Sequence, residues 1–271
     1  VAGVGRMLGD RLVADTLVVL ESTTYPGTTE EFFQPLVEAN GLKVGAELNL
    51  AFSPERVDPG NPDFDSRNTP RLLGGITPAC LEAGAAMYGS FLETVVPMSS
   101  TQAAEMAKLL ENTFRAVNIG LVNEVALMCR KLNLDTWEVI DAAATKPFGF
   151  MKFYPGPGLG GHCIPVDPYY LMQRAQEVGV PTELITAARS VNRMMPRHVA
   201  GILRDLLFRA GVAADEGRVL FLGWSYKPGV GDARETPATP LAQGLMDAGI
   251  SVSAWDPYLK DNGIPAEIEI L

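Results

Sequence analysis

The chain has 271 residues, 47% of them apolar and 20% charged, a composition that excludes a disordered polymer and is long enough to bury a core without disulfide staples. Its 22 Lys and Arg against 32 Asp and Glu give a formal charge of -10, which argues against a general nucleic-acid binder but leaves room for one anionic ligand held by local cations. The 27 glycines and 20 prolines fall in local clusters with no Gly-X-Y period, so collagen is excluded.

At the start, Gly3, Gly5 and Gly9 (GVGRMLG) loosely echo a glycine-rich phosphate loop. Such a loop needs a strand before it, and only Val1 and Ala2 precede this one, so residues 3–14 are read as a helix fragment or frayed end. Residues 16–20 (TLVVL) form a short β-rich run expected in a buried parallel strand. A polar loop, ESTTYPGTT (21–29), leads to a helix expected over 29–40. A second strand at 48–52 runs into Ser53-Pro54-Glu55-Arg56 and a Gly/Pro/Asp-rich loop, with a third strand at 71–74 (RLLG) and a helix over 78–91. This alternation is the grammar of a mostly parallel α/β sheet, in which ligands sit at strand ends.

Residues 101–135 read as one long helix or two nearly collinear ones, with Met106, Leu109, Leu110, Phe114, Val117, Leu121, Val125 and Met128 at helical spacing. Helices follow over 136–144, 168–178 and 182–210, the last with Pro196 as a candidate break point, and 147–170 is the most Gly/Pro-rich stretch. The chain then returns to α/β: a strand at 218–222 (RVLFL), a loop, a helix over 237–248 and a strand at 250–255 ending at Asp256. Two parallel strands alone do not make a stable sheet. The expected division is an α/β region over 1–100, an all-helical region over 101–210 and a partial α/β region over 217–271.

Several residues have the chemistry of a site. In PGPGLGGHCIPVDP (155–168), paired glycines precede Cys163, and Asp167 follows four residues later. If Asp167 opens the next helix, Cys163 lies near a helix N-terminus, where amides and dipole favour a thiolate, a candidate covalent nucleophile. The alternative is an inert thiol in a tight turn. Cys80 and Cys129 lie in apolar helical patterns and read as core. His162 is adjacent to Cys163, and neighbouring side chains diverge, which favours a hydrogen-bonding or substrate-side role over a Cys–His pair. Lys108 and Asn112, four apart on one helix, make a donor pair suited to an oxyanion, unless that face is merely solvated with a Glu105–Lys108 pair. Ser22 and Thr23 follow a strand end, and Glu55 follows the next, where it is a candidate proton acceptor through water. Lys227 and Arg234, in SYKPGVGDARETP, are two cations beside a sheet end, suited to phosphates or to solvent. The three cysteines, with no CxxC, indicate neither a disulfide framework nor a metal site and fit a reducing, cytoplasmic setting. No run approaches the ~18 apolar residues of a membrane span, and a secretory pattern is missing from the start.

ESTTYPGTT (21–29), SPERVDPG (53–60), AEMAKLLENTFRAVNI (104–119), PGPGLGGHCIPVDPYYL (155–171) and FLGWSYKPGVGDARETPA (221–238), in that order, resemble the UDP-glucose/GDP-mannose dehydrogenase superfamily, and within it the UDP-N-acetylhexosamine 6-dehydrogenases. The resemblance implies a Rossmann-like NAD-binding part, a central helical domain that forms a homodimer or higher oligomer, and a Rossmann-like UDP-binding part. It implies two NAD-dependent oxidations of the sugar C6 alcohol to a carboxylate in polysaccharide precursor synthesis, on UDP-N-acetylglucosamine or UDP-N-acetylmannosamine. Cys163 then matches the nucleophile that carries a thiohemiacetal and a thioester. Lys108 and Asn112 match the donors to the C6 oxygen, and Asp167 the carboxylate assisting Cys163 and water. Ser22 and Thr23 match the residues at the nicotinamide. Glu55, also an acid–base candidate, matches a residue near cofactor and substrate. Arg56, Lys152, His162 and Arg234 match substrate contacts, and Lys227 a contact to substrate or cofactor.

Two features separate the branches. UDP-glucose dehydrogenases carry a second glutamate four residues after Glu55, where Pro59 stands here, and GGSC where this chain has GGHC. Both favour the N-acetylhexosamine branch over the alternative, UDP-glucose 6-dehydrogenase. Members of the superfamily also open on a strand and GxGxxG, and about the first hundred residues of a typical member are not in these 271. The last third or so of the C-terminal domain is likewise not there. The chain by itself is therefore expected to bind NAD poorly, and a third reading is an inactive piece retaining the helical dimerisation core.

Overall fold

The computed structural model describes residues 1–58, 61–259 and 263–271; Pro59 lies outside the described residues. Two units are distinguished: Val1–Asn112 with Tyr169–Pro181, and Thr113–Pro168 with Thr182–Leu271.

In the first unit, β1 (Thr16–Leu20), β2 (Leu48–Phe52), β3 (Arg71–Gly75) and β4 (Val95–Pro97) form one sheet in that order. β1 and β2 are parallel with Leu20 opposite Phe52, so the loops after both strands leave the same edge. β3 runs antiparallel to β2 and enters from that edge with Arg71 as its first residue, and β4 is parallel to β3. The antiparallel step reflects the connection: a loop suffices to join antiparallel strands, whereas a parallel pair needs a crossover. Val18, Leu20, Leu50 and Phe52 bury one face against Phe33, Val37 and Ala104, while Ala51 and Leu73 bury the other against Tyr88. Burial on both faces accounts for the continuous apolar runs that mark these strands in the sequence.

Helix α1 (Ala2–Gly9) takes up the glycine-bearing start. A Cβ at Gly9 would stand 2.1 Å from the Leu36 carbonyl oxygen, so this glycine serves close helix packing. The helix expected over 29–40 is shorter and mixed, a π-helical turn at Thr28–Phe33 followed by α2 (Gln34–Val37). Helix α3 (Pro78–Gly89) is capped by Thr77, whose side chain accepts from the Cys80 N–H at 3.2 Å. Helix α4 (Thr101–Leu132) is one continuous element that begins in the first unit and ends in the second.

The second unit contains the remainder of α4 and α5 (Thr136–Ala144), capped by the Asp135 carboxylate. Helix α6 (Cys163–Glu177) starts here, and α7 (Glu183–Arg209) follows. Two expectations are corrected. Helix α6 begins at Cys163 instead of residue 168, so Asp167 lies inside the helix and Pro168 interrupts its hydrogen-bond ladder without ending it. Helix α7 runs through Pro196 unbroken. A buried amide network joins α4 and α7: Asn192 Nδ2 donates to the Ala116 carbonyl (2.9 Å) and Asn123 Nδ2 donates to Asn192 Oδ1 (2.9 Å). Asn123 Oδ1 in turn accepts the Gly156 N–H (2.9 Å), which fixes the start of the glycine-rich loop. The C-terminal sheet has three parallel strands, β5 (Arg218–Leu222), β6 (Ser251–Trp255) and β7 (Glu269–Ile270), one more than expected. With α8 (Ala238–Met246) it encloses Trp224, Ala242, Leu245, Val252, Ala254 and Ile268.

The face that α4 turns inward is not its apolar series. Of its expected apolar series, Leu109 is buried, whereas Leu110 is 60%, Phe114 46%, Leu121 57% and Met128 51% exposed. The inner face instead holds Ala104, Glu105, Lys108, Thr113, Ala116, Val122 and Asn123. Asn123→Ala is expected to destabilise the chain by about 2 kcal/mol, because it strands the Gly156 N–H and Asn192 Oδ1 in the interior. Calorimetry checks this, and an unchanged melting temperature contradicts it.

Candidate functional site

In the first unit, the parallel pair β1–β2 brings Ser22 and Thr23 to the same sheet edge as Glu55 and Arg56. Ser22 is exposed and Thr23 half-buried. Thr24, 7% exposed, buries an Oγ1 that makes no hydrogen bond within the chain. A buried hydroxyl without a partner is costly, and this one sits among strand-end hydroxyls that suit a polar ring substituent of a bound cofactor. Arg71, 8% exposed, organises the edge: its guanidinium pairs with Glu21 (3.5 Å) and Glu55 (3.2 Å) and lies over the Tyr88 ring (5.3 Å to the centroid). The Tyr88 hydroxyl donates to Glu21, and burial, reinforced by that carboxylate, pushes its pKa up to about 12.

Glu55 is held differently from a proton carrier. Partial burial would raise its pKa, but the Val57 and Arg56 N–H groups and Arg71 outweigh this and hold it below the ordinary carboxylate value. These contacts favour the charged form of Glu55, in which it acts as a hydrogen-bond acceptor. Arg56 pairs with Glu111 of α4 (2.7 Å) and donates to the Pro70 carbonyl (2.7 Å). Glu111 lies between Lys108 and Asn112, so the loop after β2 is tied to the helix turn that carries the expected donor pair. Lys108 is 8% exposed.

Glu105 has no solvent exposure, and its oxygens are taken by Gly27 and Thr29, not by Lys108 as one expectation had it. Burial pushes its pKa above the ordinary carboxylate value, against the lowering effect of Thr29 and Gly27 and with a further push from Glu30. Arg71 and Glu105 organise this edge and helix turn and carry no site role in the expectations above. Their signals were a lone arginine opening an apolar strand and a glutamate one turn before Lys108.

In the second unit, Cys163 is exposed and stands as the first residue of α6, where helix amides point outward. Asp167, 2% exposed, is one turn further on the same helix face. The preceding glycines dock on the loop after β5: the Gly161 N–H donates to the Arg234 carbonyl (3.0 Å), and a Cβ at Gly160 would stand 2.4 Å from Tyr226 Cβ. His162 is exposed and close enough to Asp232 to help lower the Asp232 pKa, though the Arg234 hydrogen bond is the larger cause. Arg234 grips Asp232 with two nitrogens (3.0 and 2.6 Å). Lys152 pairs with Asp141 (3.3 Å), which also accepts from the Tyr154 hydroxyl (2.7 Å). Lys227 is half-buried in the same loop as Arg234.

That loop is held from below by Asp256, at the end of β6. Its carboxylate accepts the Trp224 and Ser225 N–H groups (both 2.8 Å) and those of Tyr258 (2.8 Å) and Leu259 (3.3 Å). Among the described residues, no group of three or more His, Cys, Asp or Glu is placed to hold a metal, and no helix is long and apolar enough to cross a membrane.

Three family models match successive parts of the chain: the UDP-glucose/GDP-mannose dehydrogenase family NAD binding domain at residues 1–92, its central domain at 102–194 and its UDP binding domain at 220–270. A UDP-N-acetyl-D-mannosamine dehydrogenase of Pyrococcus horikoshii is 36% identical over 256 residues, 94% of this chain and 60% of its own length. A UDP-N-acetyl-D-glucosamine 6-dehydrogenase of Pseudomonas aeruginosa is 36% identical over 255 residues, 93% of this chain and 60% of its own length. The solved structure of the UDP-D-ManNAc dehydrogenase from Pyrococcus horikoshii superposes with a TM-score of 0.89 at 34% identity, covering 98% of this chain and 62% of that one. The chain thus spans 60% of the length of these two curated relatives.

Asp256 generates a pH prediction. Burial would raise its pKa, but the Ser225, Trp224 and Tyr258 N–H groups outweigh that and bring it from 3.8 to about 2. Because the folded pKa lies below the unfolded one, the stabilisation is complete above about pH 4 and lost as pH falls through about 2. Asp256→Asn is expected to melt lower than the parent at pH 7, with the gap closing between about pH 4 and pH 2. Parallel melting curves across that range check it, and a constant gap contradicts it.

Proposed function

This chain belongs to the UDP-glucose/GDP-mannose dehydrogenase family, and on that premise we propose that it serves an NAD-dependent dehydrogenase that oxidises the C6 alcohol of a UDP-N-acetylhexosamine to a carboxylate. The observation that carries the reading is Cys163: an exposed thiol at the first position of a helix, with the buried Asp167 one turn on and the glycines before it clamped to the β5–α8 loop. UDP-N-acetylglucosamine and UDP-N-acetylmannosamine are the favoured substrates, in agreement with the relatives' names and with His162.

NAD, when bound, accepts a hydride from C6 in each of the two oxidations. The open Thr24 hydroxyl and its neighbours Ser22 and Thr23 fit its nicotinamide end. Lys108 and Asn112, one helical turn apart, donate to the oxygen on C6 as the first oxidation leaves an aldehyde. The Cys163 sulfur adds to the aldehyde carbon, its proton moving to the carbonyl oxygen, and forms a thiohemiacetal. Loss of the second hydride, which NAD would accept, together with release of the hydroxyl proton to solvent, leaves a thioester. Water then attacks the acyl carbon, the C–S bond breaks, and the carboxylate and the thiol are released. Asp167, on the same helix face as Cys163, handles the proton at Sγ and on water. In this reading Arg56, Lys152, His162 and Arg234 contact the substrate, Glu55 serves as an acceptor, and Lys227 serves as a contact to substrate or cofactor. Three cysteines outside any disulfide accord with a reducing, cytoplasmic setting.

The test follows absorbance of NADH with NAD and each UDP-sugar in turn, together with product mass. Two NADH per UDP-N-acetylhexosamine, no uronate from Cys163→Ala, and little turnover of UDP-glucose are expected. Preference for UDP-glucose, or full activity without the thiol, refutes the reading.

The assembly reading concerns α4. Leu110, Phe114, Leu121 and Met128 repeat at spacings of four and seven along one exposed stripe, the pattern by which helices meet a partner helix. We propose that a second copy covers this stripe. Leu121→Glu is expected to convert a dimer to a monomer in light scattering, and an unchanged mass counts against the interface.

A further inference from the structure

We propose that Glu105 is a positioning residue that holds the Ser22–Thr24 hydroxyls in fixed relation to Lys108, a role that rests on the dehydrogenase reading above. The loop after β1 is secured at two ends. Glu21, at its start, is bound by Arg71 and Tyr88. Gly27 and Thr29, at its far end, are bound by Glu105: Oε2 accepts the Gly27 N–H at 2.6 Å, and Oε1 accepts both the Thr29 N–H at 2.9 Å and its Oγ1 at 2.7 Å.

The segment between these ends transmits the restraint. Pro26 fixes its own φ. The Thr28 N–H (3.1 Å) and Oγ1 (2.6 Å) both donate to the Tyr25 carbonyl, so residues 25–29 move as one piece. Gly27 adopts φ 104°, and a Cβ there would stand 2.7 Å from Glu31 Oε1, so the amide that Glu105 receives is presented by a backbone shape glycine allows.

The other half of the relation is the helix. Glu105 and Lys108 are three residues apart on α4, about 4.5 Å along the axis and on the same face. A shift of the loop relative to Glu105 is therefore a shift of the hydroxyls relative to the lysine. Neither Arg71 nor Glu111 supplies this tie, because Arg71 secures only the Glu21 end and Glu111 binds the loop after β2. A carboxylate is also the group the geometry requires: an amide accepts on one oxygen only and would turn its NH2 toward the Gly27 N–H. A second link from α4 to the π-helical turn, Thr101 Oγ1 to Glu30 Oε1 at 2.9 Å, remains when Glu105 is changed.

The experiment compares the parent chain with Glu105→Gln, measuring steady-state NADH formation from UDP-N-acetylglucosamine and, without ligands, deuterium exchange of the peptide over residues 21–29. The β2 peptide serves as the exchange control. Glu105→Gln is expected to speed exchange in the loop by about ten-fold or more with β2 unchanged. It is expected to lower kcat by about 10- to 100-fold while KM for the sugar stays within about two-fold, the signature of misplaced reacting groups. If Glu105→Gln does not fold, Thr29→Val, which deletes one of the three bonds, decides on the same two readouts with a smaller expected loss. Faster exchange with kcat unchanged overturns the proposal by showing a merely structural tie, and unchanged exchange at residues 22–24 overturns it outright. If the parent chain forms no NADH with any UDP-sugar, the dehydrogenase reading fails; the exchange result then decides on its own whether Glu105 holds the loop.

Discussion

A backbone amide that leaves a strand and enters no other must find an acceptor if it is buried. In the first unit the Gly27 and Thr29 amides of the loop after β1 find theirs on one helix. The first turns of α4 present Thr101 to Glu30 and Glu105 to Gly27 and Thr29, and the next presents Glu111 to Arg56. The helix is continuous, so these ties share one rigid reference, and Lys108 and Asn112 ride on it. Burying the Glu105 carboxylate is costly, and its raised pKa records that cost. Removing either the carboxylate or its donors leaves buried polar atoms without partners, so the arrangement stands or falls together.

Arg71 performs the complementary task at the sheet edge. Its guanidinium is nearly buried and binds Glu21 and Glu55, one from each of two adjacent strand-end loops. That pairing, with the Val57 and Arg56 N–H groups, favours the charged form of Glu55. The same side chain stacks on Tyr88, whose hydroxyl returns to Glu21. Charge, ring and hydroxyl thus close a small network that no local segment contains.

The second unit repeats the device with other residues. Asp256 collects four N–H groups around the turn that follows β5, and Asn123 with Asn192 collects the start of the glycine-rich loop. Between these anchors, Gly160 and Gly161 lie flat against Tyr226, since any side chain at 160 would overlap its Cβ. The result is a thiol whose position is defined by two polar anchors and one aromatic wall. Its helix opens at the cysteine itself, so Asp167 falls one turn inside and becomes buried, whereas a helix opening at residue 168 would have left it in the loop.

The strands at 16–20, 48–52, 71–75 and 218–222, the long helix from 101 and the order of the motifs were legible in the sequence because each depends on local periodicity, turn residues or contiguous runs. Cys163, Lys108 and Asn112 drew attention as candidates for the same reason, and the resemblance of their motifs to a family is what proposed roles for them. The face that α4 turns inward was not, because a 3.6-residue period defines a stripe without saying which side is covered. The structure put Glu105, Lys108 and Asn123 inside and Leu110 and Leu121 outside. The antiparallel β2–β3 step, the third strand β7 and the start of α6 were likewise decided by pairing and docking at long range. By itself the sequence determined most of the elements and the membership of the family, both of which are written in neighbouring residues. Only the tertiary structure decided that Glu55 is bound to Arg71 and Glu105 to Gly27 and Thr29. The partners of a buried charge come from distant segments, and nothing in the local chain says which of them will close around it.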